Sequence, residues 1–530
     1  MKGTIALIHS KYVVLNQKKR IVDSPILSYL LPNDIIEYDE IDGEIHIRQL
    51  IQRKRQFFMA IATVSVSEIS IFSYGLPKFF RPLLLSQCEK CEKISTGDVL
   101  IVEATIDGMS IYRSYGSIQN RLIDKQVITD LYHLNSMCAD IPLQYTHDGT
   151  IYYTKEYRDL THLHTFNVDP THSKDFDDAI SVEYNKIYVH IVDAHSTIPM
   201  HSEIEKQAFA HAFTLYLPEG NSNILPQELA EHKLSLVKGE RRNVITIEFS
   251  INEINEIASY EIYPSSIIIK ERYDYVEFGK HLNEFPFLVQ FVDKWKKETL
   301  PVPHVAFDID ENGKISRHYY EKNNDQAHKI IETLMILTNM TISQHIPHKI
   351  PQRYHTKIKN FDMPIASITD NEMVNAVLTV KKYRNATYDS HNSGHFGLKL
   401  QSYTHFTSPI RRYFDVILHR MLAGYHLKNI DDVLEHVNQR EHSIDQLVTI
   451  YRTLKILDYM ERIKNTPIHP IHPIHGYVLS STDKGVVVLL EDFLYEAFVF
   501  TPRVFTLGEK VNATVTDVSW LTMTMKIKLI

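Results

Sequence analysis

Residues 167–182 read NVDPTHSKDFDDAISV. Four aspartates, Asp169, Asp175, Asp177 and Asp178, fall within ten residues, between the apolar stretches FNV and AISV. Unit charges 4 Å apart repel by about 1 kcal/mol even in bulk water, and by more near a protein. The simplest reading is a solvated acidic loop. Three features argue otherwise. The flanks are β-branched and strand-forming. Phe176, between Asp175 and Asp177, anchors the loop rather than leaving it loose. Asp177 and Asp178 are adjacent, so a strand would send them to opposite faces, whereas a turn lets them converge.

Clustered carboxylates suit hard divalent cations, and Mg²⁺ is held by one or two carboxylates plus water and substrate phosphate. Two ions about 4 Å apart would clamp both oxygens of an in-line phosphoryl displacement. The cluster therefore points to metal-assisted phosphodiester hydrolysis. An Asp-rich Ca²⁺ loop is the other metal reading, but the EF-hand glycine and closing glutamate are missing.

Working outward, DAISVEYNKIYVHIVDAHS reads as two strands joined by a turn near Asn185-Lys186. HSEIEKQAFAHAFTLYL and NDQAHKIIETLMILTNMTISQHI read as helices, making residues 160–425 a mixed α/β unit. Residues 426–465 carry helical periodicity, as one long helix or two. Residues 1–155 are short β-branched runs broken by turns, which suggests two consecutive small barrels, and the C-terminal stretch from Gly476 reads as a five-stranded barrel. TPIHPIHPIH between them repeats proline every third residue, so it reads as an extended linker.

A second constellation begins at His395: HFGLKLQSYTHFTSPIRRYFDVILHRML. Ser408 is the expected N-cap and Pro409 the first helical residue. Arg411 and Arg412 then fall in the first turn, with His419 and Arg420 two turns on. Cations there oppose the helix dipole, so an anionic partner is expected, a phosphate or a structural carboxylate.

The two stretches together resemble the RNase II / RNase R family of exoribonucleases. The family pattern is an aspartate, five residues, then Asp-x-Asp-Asp-Ala; here it is Asp169 followed by Asp175-Phe176-Asp177-Asp178-Ala179. YVHIVDAHSTI, AFTLYLPEGNSNILPQELAEHKLSL, AHKIIETLMILTN and the His395 stretch agree in order along residues 160–425. The resemblance implies a multidomain α+β chain whose central mixed α/β RNB catalytic domain is flanked by OB-fold barrels. Its boundaries would be residues 1–55 and 56–155 for two cold-shock-like barrels, the second with its linker. Residues 156–466 would form the catalytic domain with its C-terminal helices, and 472–530 an S1-like barrel.

The resemblance implies a Mg²⁺ enzyme, with Mn²⁺ as a substitute. It would degrade single-stranded RNA processively from the 3′ end to nucleoside 5′-monophosphates. Asp169, Asp175, Asp177 and Asp178 match the metal positions, and Asp177, Asp178 and Arg411 the catalytic ones. Tyr216, Phe307, Arg411 and Arg412 match RNA-binding positions, the two aromatics stacking on terminal bases. Taken alone, Tyr216 and Phe307 read more simply as core residues. One departure stands out: the family's Ala-Glu-Arg on the helix after the second motif is not evident in IDQLVTIYRTLKILDYMER.

Bulk properties agree with this reading. The chain has 530 residues, 44% hydrophobic and 23% charged, which suits several globular domains. Its net charge of −8 disfavours a generally basic nucleic-acid binder, leaving local stretches such as RQLIQRKRQFF for phosphate contacts. Three cysteines, with Cys88 and Cys91 lacking a second pair, suggest a reducing cytoplasm and no zinc site. The N-terminus lacks a signal-peptide pattern, no apolar run spans a membrane, and a monomer is expected. The competing readings are a catalytically inactive RNA-binding protein on the same fold and a nuclease that also takes single-stranded DNA.

Overall fold

In the computed structural model the described residues are 1–530 except 9–10, 15–20, 23–25, 28–29, 33, 43, 66–67, 74–81, 85–93, 140, 155, 296–303, 322–324, 347–349, 357–368, 370, 383–384 and 466–472. Cys88, Cys91 and most of the Pro-Ile-His linker lie outside the described residues.

A four-stranded sheet (Lys2–Ile8, Lys11–Val14, Ile35–Ile41, Glu44–Gln52) opens the chain. A five-stranded sheet follows, from Gln56–Val64 to Gly108–Ser117, and then a helix, Ile123–Ser136. Both sheets are antiparallel. The alternating burial of Ile35–Ile41 matches its period-2 sequence pattern.

The central unit is built on a six-stranded mixed sheet, in the order Arg158–Asp159, Ile257–Tyr273, Thr165–Val168, Asp178–Glu183, Lys186–Val192, Arg241–Ile251. The 17-residue strand Ile257–Tyr273 also pairs with Arg241–Ile251, so the pairing circuit closes on itself. The strand before the aspartates is buried on both faces, and the strand after them over Ala179–Ser181, because apolar helices cover the sheet. Phe166, Phe278 and Phe285 pack behind the loop, with Phe166 centroids 5.4 and 4.7 Å from the other two.

The two strands expected around Asn185 are present, with the turn at Tyr184-Asn185. The helix expected over 201–217 is shorter. It runs Glu203–His211, capped by Ser202, whose side chain accepts from the Glu205 amide. Ala212 then takes φ +62°, and the chain re-emerges as a small hairpin, Leu215–Leu217 with Gly220–Ser222. The helix over 326–345 is present, capped by Asp325. Residues 430–465 form one helix of 36 residues, roughly 54 Å long. The chain closes in a five-stranded antiparallel sheet, Ile474–Thr482 to Thr524–Leu529. Among the described residues no helix is long and apolar enough to cross a membrane.

Candidate active site

The loop from Asp169 to Asp178 is fixed at both ends and in the middle. The Asp169 amide donates to the Tyr273 carbonyl (3.2 Å), continuing the parallel pairing of the preceding strand. Phe176 is buried beneath the Arg272 guanidinium, 4.9 Å from its ring. Its amide donates to Ser235 Oγ (3.0 Å) and its carbonyl accepts from Leu236 (3.0 Å). The Asp177 carbonyl accepts from the Val192 amide (3.0 Å), and Asp178 opens the next strand opposite Ile191.

This scaffold brings all four aspartates to one cavity of about 1920 Å³. Asp175 and Asp177 are buried; Asp169 and Asp178 are half-buried. Asp175 Oδ2 accepts from the Tyr216 hydroxyl (2.5 Å). Asp177 Oδ1 accepts from the Ile410 amide (2.7 Å), and its Oδ2 lies 3.3 Å from Arg411 Nε. Burial, reinforced by the charges of neighbouring aspartates, holds the Asp169 and Asp177 carboxyls well above the usual carboxylate range, against the opposing pull of Arg411. Burial pushes Asp178 up to about 6, with Arg411 again opposing. Desolvated acids with too little positive charge around them behave this way.

The second constellation arrives opposite this loop, with a changed local geometry. The helix begins at Tyr413, with Arg412 at its N-cap position, not at Pro409. Residues 408–412 instead form a turn in which the Ser408 carbonyl accepts from the Arg411 and Arg412 amides (3.3 and 3.0 Å). Ser408 does not cap; its own amide donates to buried Asp415 Oδ2 (2.8 Å). Both arginines therefore precede the helix rather than occupy its first turn. Arg412 pairs with Asp415 at 2.7 Å. Arg411, with 46% of its side chain exposed, faces the cavity and is steadied by a bond to Ser408 Oγ (2.9 Å). His419 and Arg420 are structural: His419 stacks on Phe406 at 4.0 Å, and Arg420 forms a fully buried ion pair with Glu205.

Tyr216 is 42% exposed on the cavity wall. Phe307, on the strand His304–Ile309, is at the same cavity but only 5% exposed. The Arg452 guanidinium lies 4.8 Å from its ring and Phe493 packs at 6.4 Å. An open stacking face is therefore present at Tyr216 and absent at Phe307 in this conformation. Several cavity residues escaped the sequence reading. Tyr275 stacks on His328 (3.7 Å between centroids), and Tyr319, Tyr320 and Glu332 also line the wall. Val448, Tyr451 and Arg452 project from the long helix at i, i+3, i+4 spacing, which is the signal that could have found them.

Whether the cluster fits a metal rests on its donors. The set is entirely hard carboxylate oxygen, and its raised proton affinity is what a cation would relieve. Among the described residues no three Asp, Glu, His or Cys side chains converge tightly enough to ligate one ion together. The cluster thus fits a cation that takes one or two protein oxygens and fills its remaining positions from water or phosphate, as Mg²⁺ commonly does.

The fold and this acidic cavity define the class. The chain belongs to the RNB domain family, whose profile matches residues 157–428. It is 27% identical to ribonuclease R of Aquifex aeolicus over 87% of this chain and 76% of that protein. Ribonuclease R of Chlamydia pneumoniae is 26% identical over 86% of this chain and 77% of that one. In structure it is similar to Mycoplasma genitalium RNase R in complex with ribose-methylated single-stranded RNA, with a TM-score of 0.79, 19% identity and full coverage of both chains.

Proposed function

We propose that this chain is a divalent-metal-dependent 3′-to-5′ exoribonuclease that hydrolyses single-stranded RNA processively to nucleoside 5′-monophosphates. The observation that carries the reading is the convergence of four aspartates and the solvent-facing Arg411 on one cavity, walled by the exposed ring of Tyr216. Family membership and the ribonuclease R relatives support it.

In this reading Arg411 receives a non-bridging oxygen of the scissile phosphate and stabilises the charge that develops there. Asp177 orients Arg411 through Nε while its other oxygen is held by the Ile410 amide. Tyr216 offers its ring to the terminal bases, which suits a processive enzyme because every base has a π-face. Asp175 fixes that ring by accepting its hydroxyl. Arg412, already bound to Asp415, serves RNA by holding the 408–412 turn in place. Asp169, Asp175, Asp177 and Asp178 are the carboxylates that would offer Mg²⁺, or Mn²⁺ in its place, its one or two protein oxygens; the ion when bound would neutralise charge and lower the pKa of the attacking water.

The flanking sheets take the role of RNA funnels. Residues 1–55 and 56–155 are assigned as two cold-shock-like OB barrels, 156–466 as the catalytic domain with its helices, and 472–530 as an S1-like barrel. The small antiparallel sheets in those stretches support this division. The protein works as a cytoplasmic monomer on single strands.

The test uses a 5′-labelled single-stranded RNA of about 30 nucleotides, a DNA of the same sequence, and Mg²⁺ or EDTA. Conversion of RNA to a short limit product without intermediates, only with the metal, is expected. RNA that is bound but never shortened under any divalent metal would replace this reading with the inactive RNA-binding one.

A further inference from the structure

Tyr216 sits on a hairpin of three residues per strand, too short to hold its own shape. Its two inward residues, Leu215 and Leu217, enter the core shared with the long helix. Its turn, Pro218-Glu219, is held by charge. Lys125 Nζ donates to the Glu219 carbonyl (2.8 Å), the Tyr451 hydroxyl donates to the Glu219 carboxylate, and Lys455 Nζ lies 3.7 Å from that carboxylate.

Lys455 is fully buried, and its three protons have other partners as well. It donates to the carbonyls of Gly313 (2.5 Å) and Arg121 (3.2 Å) and pairs with Asp124 at 3.1 Å. Gly313 is the turn of the second hairpin, His304–Ile309 with Ile315–Glu321, which carries Phe307, Tyr319 and Tyr320 along the opposite stretch of wall. That turn has φ +73°, and a Cβ there would meet the Arg121 carbonyl at 2.6 Å, so it is pressed against the N-terminal helix region. One ammonium therefore ties the turns of both hairpins that wall the cavity to the start of the helix Ile123–Ser136. Asp124 and Glu219 lie within 4 Å of Lys455, and Asp458 and Glu461 also act on the neighbouring Arg121.

We propose that Lys455 is a positioning residue: by joining the turns of the two wall hairpins, it sets the spacing at which Tyr216 meets the terminal base of the RNA. This rests on the exoribonuclease reading above. A buried charge is a costly way to fill a core, and removing one partner leaves the others uncompensated. What the arrangement provides is a fixed register among parts of the chain far apart in sequence. Tyr216 lies two residues from the turn that the tie holds, so loosening the tie moves the ring without removing any group that touches RNA.

The experiment uses the full chain and an RNA whose 3′-terminal base is 2-aminopurine, a fluorophore quenched by stacking. Lys455→Met removes the tie. Glu219→Gln weakens only its link to the Tyr216 hairpin and serves where the first variant folds poorly. Ile128→Val, in the same core but outside the network, controls for loosened core packing. For Lys455→Met and Glu219→Gln we expect at least a twofold loss of quenching and a rise in KM of fivefold or more, with kcat at saturating RNA changed less. Ile128→Val should keep the wild-type quench and KM. Variants that lower Tm yet keep quench and KM at wild-type values would overturn the inference, making Lys455 a purely structural residue. Wild-type protein that neither quenches nor shortens RNA would instead overturn the exoribonuclease reading, and this inference with it.

Discussion

The chain buries carboxylates in two contrasting ways. At Glu205 the charge is matched: Arg420 pairs with it in a fully buried site, and the Tyr145 and Tyr413 hydroxyls each donate to it at 2.8 Å. At Asp169–Asp178, four acids have one arginine in contact among the described residues, Arg411 beside Asp177, with Arg272 acting more weakly on Asp169. The first cluster is complete without anything from outside. The second carries more negative charge than the cation in contact with it, and burial above all holds the proton affinity of Asp169, Asp177 and Asp178 above the ordinary carboxylate value. The difference teaches how to tell a structural charge cluster from one kept for a ligand: count the opposite charges that reach it.

The comparison breaks most visibly at turnover. Asp178→Asn should lower kcat by about 10²–10³-fold or more while RNA affinity stays within a few-fold. It changes the site's charge and leaves the cavity walls alone. Single-turnover kinetics alongside a binding titration checks this, and an unchanged kcat would break the contrast. Next in size, Arg420→Met should cost about 3–5 kcal/mol of stability by leaving Glu205 buried and unpaired. Denaturant unfolding measures it.

The two adjacent arginines sharpen the same contrast. Arg411→Met should reduce kcat about 10²-fold or more with little change in Tm, since its guanidinium faces the cavity. Arg412→Met should instead destabilise by roughly 3 kcal/mol, because buried Asp415 loses its cation. Equal effects of the two on kcat and on Tm would remove the distinction drawn here. Smallest is Tyr216→Ala, expected to cost about 1–3 kcal/mol in RNA binding through lost stacking, read as a raised KM.

Much of this was legible in sequence because local pattern and tertiary outcome agreed. The aspartate loop, the strand pair around Asn185 and the helix capped by Asp325 follow from turn residues, alternation and caps. Phe176 as the loop's anchor was readable from one apolar residue among acids. Three features were not readable. The helix over 203–211 stops early because Thr214 donates to the Arg411 carbonyl (3.0 Å), a partner about two hundred residues away. Ser408 and Pro409 look like a helix start, but Asp415 captures the Ser408 amide and the helix opens at Tyr413. Phe307 by itself reads as a core residue, as it is found, but the neighbours that cover it, Arg452 and Phe493, come from distant parts of the chain. Each of the first two is a long-range contact overriding a sound local signal.

The imbalance at the cavity floor is the central claim, and thermal unfolding with and without a divalent cation tests it most directly. Asp178, ordinarily near 3.8, is pushed up to about 6 by burial. A folded-state pKa raised this way stabilises the cation-free fold at low pH, and that stability is lost as pH rises through about 6. At pH 8 without cation, Asp178→Asn should therefore be more stable than wild type, by roughly 1–3 kcal/mol, with the gap closing below about pH 5. Mg²⁺ or Mn²⁺ should raise the Tm of wild type at pH 8, do so less at pH 5.5 where protons compete, and leave the variant nearly unmoved. A wild-type Tm at pH 8 that ignores both cations and already equals that of Asp178→Asn would contradict the account.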